Sequence, residues 1–115
     1  MVQDPYIAKQ QQEDKERREA VRYDIFAERE NQNLKWGRQR HPYAVWLGIL
    51  MEEVGEVAQA VNALTVPAAS KDTDADDLYN ELIQVAAVAA AIAEQVLEDK
   101  KGARTNGSQH STRRA

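Results

Sequence analysis

Apolar positions in this chain recur three and four residues apart and nowhere alternate for a useful length, a pattern that predicts helices and no strands. Over residues 43–63, Leu47, Leu50, Met51, Val54, Val57, Ala58 and Val61 fall on one helical face, the expected core. Residues 75–99 predict another helix, apolar on every side across residues 85–93. Such a helix needs cover all round, and its alanines would admit a close neighbour. Near the start, Asp4 followed by Pro5 is a helix opening, with a capping side chain and a proline in the first turn. Residues 8–19 are almost all polar, so this part reads as an exposed helix. Val21, Tyr23, Ile25, Phe26 and Ala27 then predict a packed helix over residues 19–31.

Breakers divide these elements. Residues 33–43, with Trp36, Gly37 and His41-Pro42, read as a connecting loop, and TVPAASKDTDA reads as a second loop ending in an N-cap at Thr73 or Asp74. GARTNGSQHSTRRA has no periodicity and reads as a disordered tail. The expected fold is all-α, a helical bundle of about three main helices per chain, completed by homo-oligomerisation. It divides into an exposed polar helix or extension over residues 1–18, a helical domain over 19–99 and a basic tail over 100–115.

A second track runs beside the apolar face of residues 43–63: Ile49, Glu53, Glu56 and Ala60, at the spacing of a helix-helix seam. Residues 75–99 carry a track of the same rhythm in Asp77, Glu81, Gln84 and Val88. Laid against each other, the tracks bring Glu53, Glu56, Glu81, Gln84 and Asp77 into one space. Carboxylates gathered there repel and lose hydration, so they must either protonate or bind a cation. The alternative is a solvated face, for which charged residues at 30% of the chain leave ample room. Glu52 points away from the track.

Charge sharpens the picture. Residues 1–42 are nearly balanced, with nine Lys/Arg and eight Asp/Glu, whereas residues 43–100 hold eleven acids against Lys71 and Lys100 alone. Acidity is therefore concentrated in the most apolar segment, which favours a cation and disfavours nucleic acid as a partner of that segment. With no cysteine, thiolate metal sites are excluded, and hard oxygen donors favour Mg²⁺, or Mn²⁺ as its substitute. Mg²⁺ held by few carboxylates completes its shell with water and substrate phosphate, so the site implies a phosphorylated ligand. His41, before a proline, reads as a turn residue, and Trp36 and Trp46 as core or lid residues. The longest apolar run, residues 85–93, is too short to span a bilayer, and the first residues lack the hydrophobic region of a signal peptide. The chain is expected to be soluble, with no membrane partner.

These motifs resemble the MazG-like, all-α nucleoside triphosphate pyrophosphohydrolases, relatives of the dimeric dUTPases. The family pattern is ExxE on one helix and ExxD on the next. Here the first half is Glu53-Val54-Gly55-Glu56 within EEVGE, and the second is Glu81-Leu82-Ile83-Gln84 within ELIQVAAVA. The upstream ERENQNLKWGRQRHPYAVWL resembles the stretch before the first motif in phage-type members, so the likeness spans residues 26–98. The departure is Gln84, which stands where the family has aspartate and removes one charge. Asp77, one turn before Glu81, is the residue placed to restore it.

The resemblance implies Mg²⁺ between two helices of a four-helix bundle, in a homodimer or homotetramer. It also implies hydrolysis of a (d)NTP to (d)NMP and pyrophosphate by water attack, in the cytoplasm, or in that of the host cell if the chain is phage-encoded. Carried over to this chain, the metal set is Glu53, Glu56, Glu81, Gln84 and Asp77. Glu52 or Glu53 would handle the attacking water. Gln32, Lys35 and Trp36 in the resembling stretch, and Lys71, are the candidates for substrate contact. A different class also fits the residues: a non-catalytic interaction or nucleotide-binding module whose acidic seam meets a partner.

Overall fold

The computed structural model describes residues 4–65 and 75–106, in three helices: α1 Pro5–Trp36, α2 Tyr43–Thr65 and α3 Ala75–Asn106. No strand occurs among the described residues, as the apolar spacing predicts. Lys71, the expected cap at Thr73 or Asp74 and the end of the tail lie outside them.

The start of α1 is the one read from the sequence. Asp4 accepts a hydrogen bond from the Tyr6 amide at 2.8 Å, and Pro5 occupies the first turn. The helix then runs without a break through both the polar stretch and the expected packed segment, and on to Trp36, beyond the expected boundary near residue 31. It ends at Gly37, whose φ of 74° lies in the left-handed region and whose amide bonds to the Asn33 carbonyl at 2.9 Å. Only Gly37 to Pro42 remain as the connection, with the Pro42 carbonyl accepting from the Val45 and Trp46 amides as α2 begins. At the other end, α3 continues through residues 100–106, which the sequence pattern assigns to an irregular tail.

Both α1 and α2 pack on α3. Trp46 pairs with Gln95, while Glu56 meets Glu81, so α2 runs antiparallel to α3. The small core consists of Trp46, Val88 and Ala91, with Ile49, Leu50 and Ile92 against it; Ala60, Ile83 and Ala87 are buried as well. This overturns the expected core. Of the face predicted for α2, Leu47, Met51, Val54 and Val61 are exposed, while the seam track of Ile49, Glu53 and Ala60 turns inward. The reason is geometric: among the described residues α2 has α3 as its one helical neighbour, and the seam, not the broader apolar stripe, meets it. In the same way α1 buries no residue, and Val21, Tyr23 and Phe26 stay exposed. By length and composition residues Asp76–Ala103 suffice to cross a bilayer, contrary to the reading from the apolar run alone. Tyr79, Glu94, Gln95 and Glu98 of this span, however, bond to α1 and to the connection.

Candidate metal centre and adjoining cleft

Half-buried Glu53 and exposed Glu56 lie one turn apart on the seam track of α2, and Glu81 faces them from α3. One carboxylate oxygen from each lies within 4.8 Å of the other two. One oxygen of Glu53 and one of Glu81 are enclosed and have no hydrogen-bond partner in the protein. An enclosed carboxylate oxygen left in this way is costly unless a proton or a cation occupies it.

The electrostatics follow from that enclosure. The Glu81 carboxyl is pushed up to about 7. The main cause is a hydrogen bond shared with Glu56, followed by burial and by the negative charges of Glu56, Glu53 and Asp77. Burial raises Glu53 too, followed by the charges of Glu56, Glu52 and Glu28. Without a cation, then, the crowding of the cluster raises the proton affinity of Glu81. Its donor set is all oxygen, which matches a hard divalent ion such as Mg²⁺ or Mn²⁺.

Beside the cluster opens a cleft of about 360 Å³, to which Glu53 and Gln84 contribute. Its wall from α1 carries Arg29, Gln32, Asn33 and Trp36, its rim Gly37, Gln39 and His41, and its floor Trp46, Ile49, Val88 and Ala91. Arg29 is the only lysine or arginine among these lining residues. It is committed to Glu94 of α3 through a two-point contact, Nε at 3.0 Å and Nη2 at 2.5 Å. Its Nη1 donates to Gln32 at 3.1 Å, and Gln32 in turn donates to Glu28 at 3.4 Å. The pair favours both charges, raising Arg29 and lowering Glu94.

The residues singled out in the sequence therefore separate into groups. Glu53, Glu56 and Glu81 come together; Gln84 lines the adjoining cleft with Gln32 and Trp36. Asp77 is exposed and acts on Glu81 only through its charge, outside the group of three. Glu52 is exposed and likewise outside the group. Lys35 does not line the cleft; its Nζ sits 4.9 Å from the centre of the Trp36 ring. Arg29, Asn33 and Gln39 also line the cleft, and His41, a turn residue by its sequence context, lines it too; no local pattern in the sequence marks Arg29 or Asn33, which lie on α1.

Comparison with protein-family models, with curated proteins and with solved structures gives no match for this chain.

Proposed function

We propose that the chain is a Mg²⁺-dependent nucleotide pyrophosphohydrolase that cleaves a (d)NTP to the monophosphate and pyrophosphate, as its resemblance to MazG-like enzymes implies. One observation carries the reading: enclosed, unpartnered oxygens of Glu53 and Glu81, with Glu56 beside them, adjoin a cleft that Glu53 itself lines together with Gln32, Gln84 and Trp36. Glu53, Glu56 and Glu81 would hold the metal, with Gln84 as a neutral oxygen donor at the cleft side. A bound divalent cation supplies charge neutralisation for phosphate oxygens and a lowered pKa for water. Among the described residues the one cationic side chain lining the cleft is tied to Glu94, so phosphate binding there would depend chiefly on the carboxylate-held ion.

Glu53 is the carboxylate suited to orient or deprotonate a water attacking the α-phosphorus, because it alone of the three acids lines the cleft. Glu52, exposed on the far side, serves at most through its charge. The Trp36 ring and the amides of Gln32, Asn33 and Gln39 provide a stacking face and hydrogen-bonding groups for the nucleoside. An adaptor using the acidic seam to bind a partner helix is less well supported, because α3 already fills that seam. The test is Glu53→Gln: pyrophosphate release should fall by about a hundredfold or more, with the fold retained. Full activity in that variant would remove Glu53 from the chemistry.

A further inference from the structure

Four neighbouring residues of α3, one turn beyond the core, hold the short connection between α1 and α2. Glu94 binds Arg29, Glu98 binds Arg38 and Arg40, Asp99 accepts from the Tyr43 hydroxyl, and Gln95 sits at the centre. Gln95 is the only buried polar residue among those described. Its Oε1 accepts from the Trp46 indole at 2.7 Å and from the His41 amide at 3.1 Å, and its Nε2 donates to the His41 carbonyl at 2.8 Å. One amide thus satisfies both backbone groups of His41 and ties them to the floor tryptophan. The His41 ring stands edge-on against that tryptophan, with centroids 4.8 Å apart.

His41, Gln39, Gly37 and Trp46 all line the cleft, whereas Gln95 does not. We infer that Gln95 is a positioning residue, a latch that fixes the rim of the cleft in the shape that receives the nucleoside part of a nucleotide. The inference rests on the function proposed above and assigns separate tasks to the two halves of α3. The first half presents Glu81 to the metal; the second, starting about 14 residues or roughly 21 Å further along the helix, shapes the rim. Chemistry at the carboxylates should therefore survive loss of the latch, while affinity for the nucleotide should not. The glutamine is also chemically specific. A glutamate at this position would keep both acceptor contacts of Oε1, but would set a charged oxygen against the His41 carbonyl where Nε2 now donates.

The experiment compares wild type, Gln95→Leu, Gln95→Glu and Trp46→Phe, each with Mg²⁺ and the common NTPs and dNTPs, measuring pyrophosphate release and the Mg²⁺-induced rise in melting temperature. For the nucleotide that wild type turns over fastest, both Gln95 variants should raise KM by about tenfold or more and keep kcat within about twofold. The metal-induced rise should be unchanged. Trp46→Phe, which removes one of the three hydrogen bonds and keeps an aromatic floor, should shift KM in the same direction by less, and it carries the test if the Gln95 variants do not fold. An unchanged KM, or a fall in kcat at constant KM, would overturn the latch and leave the proposed function standing. A wild type that releases no pyrophosphate from any of the nucleotides would overturn the function and the latch with it.

Discussion

Without a cation, Glu81 is held in the fold best as the neutral acid, because it shares a hydrogen bond with Glu56 and lies near two other negative charges. Its carboxyl is raised from 4.5 to about 7, so between those values the folded chain keeps a proton that the unfolded chain releases. Stability of the metal-free protein should then fall as pH rises from about 4.5 through about 7, the reverse of an ion-paired carboxylate. Thermal melts in EDTA across that range check this. Glu81→Gln should flatten the slope, and an unaltered slope would assign it to another group. At millimolar Mg²⁺ the wild type should gain stability as RT ln(1 + [L]/Kd), and Glu56→Gln should lose most of that gain. Gln84→Asp should lower the Mg²⁺ concentration needed for half-maximal turnover, because a carboxylate beside a divalent ion favours the bound state. An identical requirement would place residue 84 outside the metal's shell.

Pairs of residues decide how the helices meet. Polar contacts tie α1 to α3: Tyr79 donates to Asp24 at 2.6 Å, and the better-shielded Arg29 binds Glu94. Arg29→Ala should lower unfolding free energy by about 1 kcal/mol in a urea titration, since it removes the fork to a half-exposed Glu94 and loosens Gln32. Arg29→Lys should not restore it, because an ammonium cannot reproduce the two-point fork. Helix type, the capped start at Asp4 and the seam track that sets Glu53 and Glu56 against Glu81 were legible in the sequence, because spacing and capping are local properties. That the broader apolar face of α2 would stay uncovered was not. The stripe of Leu47, Met51 and Val54 has the stronger apolar pattern, yet coverage depends on what the rest of the chain can reach. The Arg29–Glu94 and Gln95–His41 contacts were hidden for a similar reason: they join positions 65 and 54 residues apart that no local pattern links.

As a whole, the chain is open. Its radius of gyration is 19.4 Å, against about 13 Å for a compact domain of this length. Leu47, Met51, Val54 and Val61 form an uncovered stripe along α2, while Tyr23 and Phe26 are bare on α1. A second copy of the chain would cover such surfaces, and the family resemblance implies the same. Sedimentation at micromolar concentration should show a dimer or tetramer, and Met51→Glu should dissociate or unfold it by placing a charge in the interface. A folded, stable wild-type monomer would contradict that assembly. Whether the carboxylates of α2 and α3 form a metal-dependent pyrophosphohydrolase centre is decided by incubating the purified protein with the common NTPs and dNTPs and Mg²⁺, measuring pyrophosphate separately from orthophosphate. A nucleoside monophosphate and pyrophosphate should form in equal amounts, abolished by EDTA and reduced about a hundredfold or more by Glu53→Gln. Release of orthophosphate alone, or turnover indifferent to EDTA, would contradict such a centre.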